Sequence, residues 1–582
     1  MLDTDSCNIQ PALVVLAIFC ALAAVPARAA GPCPQIQFSG KERIDLNDME
    51  TRLVCGDPHT EGWGQIPFNQ AESFLRAFLQ QRGYQEPKFT QGPNLLNVDA
   101  GAKTFVKAFT ATGLPPEINP RKLRNIRGQP MTPNLLDTAK AALLGALQNR
   151  GYACPVIEMR GNGTTGEVSA DVRPGEIYQF AHIRPKKTEE LYPQIFSRYE
   201  AFKRGQRFDS RLLDLTAQRT MADSLFLNTY FEVNCSTSGM VITERVVAGK
   251  PQVYKLGVGF DTDGYFIGKA QWRNSRLGAR SNSMQALLYA SFREQTASAD
   301  FRYFMGRASR IYIMPKLTFG RQNEPQYEAM NAELALLPGF SWDSKSLRGE
   351  FSAGPALVYV HTIRGLGPVT SYPAFETQLE LRDHLFEYYA GDPQTGGRVA
   401  LKSKSRVAGL ESSITAHLLS LQGEHIWNLG GYHPPALVLA TRYLAQTTLV
   451  KNSFLASGEI PLDMRIFMGG DADLRGAGLN KIPADSAGLL TSVYDGVELR
   501  LGDVLPHGLQ PLVFLDAAMG GRRSARLDPN VYFSPGLGLR WRSPVGSIRT
   551  TLARGIVWRR DPSAEVLMPR QWRLFLSLGT EF

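Results

Sequence analysis

The stretch Gln571–Phe582, QWRLFLSLGTEF, decides the fold. Counting back in twos from Phe582 gives Thr580, Leu578, Leu576, Leu574 and Trp572, a face that is nearly all apolar. The residues between them, Glu581, Gly579, Ser577, Phe575 and Arg573, are mostly small or polar. Alternation with period two marks a strand with one buried or lipid-facing side. At the edge of a soluble sheet that apolar side would need another cover. In a membrane barrel it lies against lipid and the strand closes on the aromatic Phe582. The expectation is a barrel rather than a soluble two-sheet sandwich.

Outward from this strand the pattern continues. From Val253 to the end there is no convincing amphipathic helix. Sixteen candidate strands begin near Val253, Gly264, Ser283, Ala297, Arg310, Gln326, Arg348, Tyr372, Gly397, Ser413, Ala436, Leu490, Pro511, Tyr532, Ser547 and Gln571. Bacterial single-chain barrels have even strand numbers, so sixteen is admissible. No apolar run after the N-terminal segment is long enough for a spanning helix, which leaves a closed barrel as the route into a membrane.

Before Lys250-Pro251 the character is mixed. Phe68–Arg82, Leu135–Arg150 and Leu212–Asn228 have helical spacing, and each is followed by a Gly-Tyr or Tyr-Phe break. Ile36–Phe38 and Glu232–Ser236 read as strands. Arg127-Gly-Gln-Pro-Met and Arg204-Gly-Gln-Arg-Phe repeat one turn ahead of the second and third helices. These are three α+β repeats, each a small sheet with two helices. The expected boundaries are 30–113, 114–178 and 179–250, with the barrel at 251–582. The first repeat carries an insert through Pro58–Pro67.

The first 29 residues read as a signal peptide. Pro11–Ala24 is almost wholly apolar and leads to Ala27-Arg28-Ala29, an A-x-A cleavage site. Its leading segment, MLDTDSCNIQ, departs from the usual pattern by carrying two aspartates and no lysine or arginine. The competing reading is an uncleaved anchor. Beyond Ala29 the cysteines are Cys33, Cys55, Cys154 and Cys235. Export permits disulfides, and Cys33–Cys55 is the favoured pair, against four unpaired thiols. The net charge of +10 suits polyanions such as lipopolysaccharide or anionic lipid headgroups. No basic stripe interleaved with aromatics points to nucleic acid.

One loop stands apart from the strands: Ile466–Leu479, IFMGGDADLRGAGL, with Gly469, Gly470, Leu474, Arg475 and Gly476. Glycines let such a loop fold back closely on itself. Asp471 and Asp473 imitate a calcium loop, but no closing glutamate follows at the right distance. His425 lacks the second histidine of a zinc hydrolase motif, and no nucleophile elbow or phosphate loop is present, so no cofactor, metal or enzymatic role is expected.

That loop resembles the G-G…V-R-G-Y/F loop of outer-membrane assembly factors of the BamA/TamA superfamily. Val513–Gly520 (VFLDAAMG) resembles the family's F-x-D-x-G strand. Ser534–Arg540 (SPGLGLR) and Ser543–Arg549 (SPVGSIR) look like its G-x-G-x-R…S-P-x-G-x-[apolar]-R pair. The repeats look like polypeptide-transport-associated (POTRA) domains, and three of them with this barrel are most similar to the TamA family, the translocation and assembly module subunits. The resemblance implies the following. POTRA repeats in the periplasm precede a 16-stranded transmembrane β-barrel of the surface-antigen type in the bacterial outer membrane. Autotransporters and other unfolded outer-membrane proteins are the clients, and a TamB-like, inner-membrane-anchored periplasmic protein is the partner. Client strands enter the lipid at a weak seam between Val253–Phe260, with Gly257 and Gly259, and Trp572–Phe582, with Trp572, Leu578 and Phe582. Arg475 is a luminal latch whose partners are Asp516 and Glu498. Ala477 stands where the family has an aromatic ring, which predicts a looser seat for the loop. The alternative within the superfamily is a two-partner secretion transporter, which usually has two POTRA domains and a plug helix; BamA itself usually has five. A passive porin or barrel enzyme has no use for the repeats.

Overall fold

The computed structural model describes residues 35–39, 44–57, 66–119, 126–181, 183, 193–237, 239–247, 249–391, 393–407, 414–430, 435–451, 458–502, 504–543, 546–562, 566–568 and 570–578. The expected signal peptide, Cys33, most of the 58–67 insert and Phe582 lie outside them.

The N-terminal part forms three small sheets. In the first, β1 (Ile36–Ser39) runs parallel to β3 (Leu96–Asp99), and β2 (Lys88–Gln91) lies antiparallel on the other side of β3. Two helices accompany it, α1 (Asp48–Cys55) and α2 (Phe68–Gln81). The sequence reading did not single out α1, yet it has a full capping box. Asn47 accepts from the Glu50 backbone, and the Glu50 side chain accepts from the Asn47 backbone. The second sheet has the order β4 (Ala108–Thr112), β6 (Glu167–Arg173), β5 (Val156–Asn162), with helix α3 (Pro133–Gln148). The third is a pair, β7 (Asn228–Ser236) and β8 (Gly239–Val247), with α4 (Ser210–Ala222). Two compact units share the second repeat between them: its sheet groups with the first repeat, and the end of α3 groups with the third repeat and the barrel.

The repeated Gly-Gln turn makes the same two bonds each time. Gly128 N–H donates to Val106 O and Gln129 O accepts from Val106 N–H; Gly205 N–H donates to Phe180 O and Gln206 O accepts from Phe180 N–H. Gly128 and Gly205 take φ of +78° and +79°, which glycine adopts freely. The helix breaks also recur, but the third is displaced from the expected place. α4 stops at Ala222 rather than continuing to Asn228, because Ser224 adopts φ +58° and Leu225 turns into the core. Gly83 and Gly151 hold that left-handed position in the other two copies, so a search for glycine passes over the serine.

A disulfide joins Cys154, just past α3, to Cys235 on β7. Cys55 is also disulfide-bonded, which removes the reading of four free thiols.

The rest of the chain is a closed barrel of sixteen antiparallel strands, each paired with its sequence neighbour. It opens with β9 (Gln252–Asp261) and β10 (Tyr265–Leu277). Its longest wall is β14 (Glu328–Asp343), β15 (Leu347–Arg364) and β16 (Thr370–Asp383), followed by β17 (Gly396–Arg406). It ends with β20 (Thr491–Leu501), β21 (Leu509–Gly521), β22 (Val531–Ser543), β23 (Gly546–Trp558) and β24 (Gln571–Leu578). One short helix, α5 (His384–Tyr388), interrupts the all-strand pattern in the turn after β16. Leu256 and Val258 on β9 are 82% and 88% exposed, and Trp572 and Leu574 on β24 face outward beside buried Phe575 and Ser577. This apolar exterior is what a lipid-embedded wall requires. No helix among the described residues is long and apolar enough to cross a membrane.

Side chains of the third repeat fasten it to the barrel's short turns. Arg219 reaches Asp343 at 3.0 Å and Glu387 at 2.6 Å. Arg198 donates to the carbonyls of Arg280 and Ser281 and lies 3.7 Å from the Phe304 ring centroid. Arg310, from the barrel, pairs with Asp343 and donates to the carbonyls of Ser197 and Glu200.

Candidate luminal latch and seam

Along β20 the inward positions alternate as Tyr494, Gly496 and Glu498, and along β21 as Phe514, Asp516 and Ala518; all six are buried. The register places Gly496 opposite Asp516 and Glu498 opposite Phe514. Two carboxylates therefore point from adjacent strands into the lumen, and Gly496 leaves room between them: a Cβ there would lie 2.2 Å from the Tyr494 hydroxyl.

Arg475 fills that space. Its Nε and Nη2 donate to the two oxygens of Asp516 at 2.9 and 2.8 Å, a bidentate fork, and its Nη1 donates to Glu498 at 2.5 Å. Its backbone N–H adds a bond to Asp516 at 3.2 Å. The guanidinium lies 3.4 Å from the centroid of the Phe514 ring. Arg475 and Asp516 are 1% and 0% exposed, so the charges are compensated by each other rather than by water.

The glycines make the approach possible. Gly469 and Gly470 hold φ of +111° and +118°. Gly476 lies flat on the strands: a Cβ would be 2.4 Å from Ser534 Oγ and 2.8 Å from the Gly555 backbone. Its N–H donates to that hydroxyl at 2.9 Å. Leu474 and Ala477 are buried in one cluster with Met468, Leu489, Tyr532 and Met568. Ala477 is itself 1% exposed. Asp473 accepts from the Gly469 and Leu474 backbones, and Asp471 accepts from Arg549 at 3.0 Å; both carboxylates brace the loop.

A second mooring lies across the lumen and had no signal in the loop motif. Asp463 accepts from Tyr372 of β16 at 2.6 Å and from Lys404 of β17 at 3.0 Å. Lys404 also meets Glu333 of β14 at 3.0 Å.

The first and last strands meet through two register pairs only among the described residues, Ser577↔Asp261 and Leu578↔Phe260. Gly257 and Gly259 pair with Lys269 and Ile267 on β10. Trp572 pairs with Arg554 on β23. The Thr262 N–H adds a bond to Leu576 O at 3.0 Å. Arg573, on the inward face of β24, spans the junction: it donates to the Ala477 carbonyl of the loop and pairs with Asp263 in the turn after β9. Gln571 donates to the Gly476 carbonyl at 3.2 Å. Consecutive loop residues thus hold the latch, the β22 hydroxyl and the last strand. The sequence motifs assign no role to Arg573 or Asp263, and Ser534 stands in one without its hydroxyl being singled out; only the inward phase of Arg573 in the final alternation hints at a luminal role.

Residues 388–582 match the model of the Omp85 superfamily domain. Among solved structures, the chain is similar to BamA from Haemophilus ducreyi lacking POTRA domains 1–3, with TM-score 0.48 and 13% identity over 78% of this chain and 94% of that one. It is also similar to CdiB from Escherichia coli, with TM-score 0.44 and 11% identity over 88% and 97%. CdiB from Acinetobacter baumannii gives TM-score 0.44 and 12% identity over 82% and 89%.

Proposed function

We propose that this outer-membrane protein, an Omp85 superfamily member through residues 388–582, assembles client β-barrel proteins, autotransporters among them, by pairing their strands at its seam. The observation that carries the reading is the joint of β9 and β24. Among the described residues two register pairs and the Thr262 N–H bond to Leu576 O hold it, while β9 is paired with β10 from Asp261 to Gln252 and β24 with β23 from Leu578 to Gln571. A strand edge freed at such a joint templates an incoming strand. No covalent step is required: strand pairing and burial of apolar surface in lipid supply the driving force. The repeats receive unfolded clients in the periplasm. Their number supports a TamA-type assembly with a TamB-like periplasmic partner anchored in the inner membrane, which co-purification from native membranes tests.

A Phe260→Cys, Leu578→Cys protein reconstituted in liposomes tests the seam. Oxidation should stop it from accelerating the folding of an unfolded client barrel, and reduction should restore the activity. Equal activity in both states would defeat the reading. Luminal cavities of about 420 and 330 Å³ lie beside the loop, and the second reading is two-partner export through the lumen. That reading predicts transport that survives the locked seam.

A further inference from the structure

We propose that the outward rim of β23 and β24 binds the phosphate groups of an outer-leaflet glycolipid of the lipopolysaccharide class. Arg554 faces outward on β23: it lies opposite Trp572 in the register, between exposed Leu552 and Trp558, while Ala553 and Gly555 beside it are buried. Its guanidinium is 5.5 Å from the centroid of the Trp572 ring. Just past the end of the strand, Arg560 lies 4.7 Å from the centroid of the Trp558 ring. Arg559 and Arg570 are exposed beside them. Among the described residues none of these four arginines has a carboxylate partner. The outward arginine at the rim of another strand is different: Arg321 pairs with Glu328 at 2.6 Å.

An arginine on the lipid face of a barrel costs about 2–4 kcal/mol at the midplane and little near an interface, where an anion can meet it. The guanidinium fork fits a phosphate bidentately, and tryptophans beside it suit the headgroup boundary. The third repeat fastens to the turns at the opposite end of the barrel, so this rim belongs to the outer leaflet. From Arg554 to Trp558 the patch extends roughly 13 Å along the strand. That span accommodates more than one phosphate on a single headgroup, which commits the site to a multiply phosphorylated glycolipid rather than a simple phospholipid. The proposal is independent of what the seam does.

The test uses the full chain in phosphatidylcholine vesicles containing diphosphoryl lipid A, dephosphorylated lipid A, or phosphatidylglycerol. Lipid retained after detergent extraction is measured by mass spectrometry. The unmodified protein should retain the diphosphoryl form in several-fold preference to the other two. A protein carrying Arg554→Gln, Arg559→Gln, Arg560→Gln and Arg570→Gln should lose that preference, while Arg321→Gln should keep it. Unheated gel mobility checks folding; if the fourfold variant fails it, Arg559→Gln with Arg570→Gln, both outside the strands, should still lower retention. Equal retention by parent and variants, or phosphatidylglycerol held as well as lipid A, would overturn the proposal.

Discussion

The two sides of the barrel are built differently. β15 is paired with β16 without a break from Leu347↔Asp383 to Val360↔Thr370, and with β14 over nearly its whole length. Among the described residues β9 and β24 share two pairs and the Thr262 N–H bond to Leu576 O, and side chains add to them: Arg573 to Asp263 across the joint, and Arg573 and Gln571 to the loop carbonyls. A wall closed by backbone ladders is hard to part, since every broken pair leaves polar groups in lipid. A joint with a short ladder and a few side chains across it can be parted and remade. The loop connects the two kinds of construction, with Gly476 and Ala477 held by the last strand and Asp463 against the wall.

The largest effect is expected from Arg475→Ala. It leaves Asp516 buried without its cation, while Glu498 keeps Arg500 and Arg549, a loss of about 3–5 kcal/mol. The compact form seen on unheated gels should give way at a clearly lower temperature, and Arg475→Lys should recover little because it lacks the fork. Unchanged heat resistance would detach the latch from barrel stability. Gly476→Ala should cost about 1–3 kcal/mol, because the added methyl meets the Gly555 backbone. Arg573→Ala should cost less stability but lower the disulfide yield of the Phe260→Cys, Leu578→Cys pair severalfold, whereas Lys404→Met, on the wall, should leave that yield unchanged. If both lowered it equally, the contrast between seam and wall would collapse.

The smallest effect concerns the repeat that is fastened to the wall. Burial, with Glu200 nearby, pushes the Glu244 carboxyl up to about 8, so it is protonated in the folded repeat at neutral pH. The unfolded chain gives up that proton near the ordinary glutamate value, so the neutral carboxyl counts against folding increasingly as pH rises from there towards 8. Glu244→Gln should therefore raise the melting temperature of the full chain by a few degrees near pH 8 and hardly at all near pH 4. A gain independent of pH would refute the buried carboxyl as its cause.

What could be read from the chain followed physical periodicity. The two-residue alternation of Trp572, Leu574 and Leu576 carries the barrel, and the Gly-Gln turns carry the repeats. Asp516, which meets Arg475, is legible because it sits in a recognisable strand motif, whereas Glu498 has no motif of its own. The rest was hidden for definite reasons. Ser224 adopts a backbone conformation that its residue type does not announce. Cys154 and Cys235 are brought together only by the packing of the end of α3 against the third repeat. Arg573 and Asp263 are 310 residues apart and become neighbours only when the barrel closes.

The double mooring of the loop has an electrical consequence. While one end is held, the other explores a small volume, so its effective concentration near its own partners stays high and it rebinds readily. A protein lacking Arg475 alone, or Asp463 alone, should therefore still block ions in a planar bilayer, as two resistors in series do when one is shorted. Conductance should rise sharply only when both are replaced, which makes the membrane's permeability barrier tolerant of a single failure.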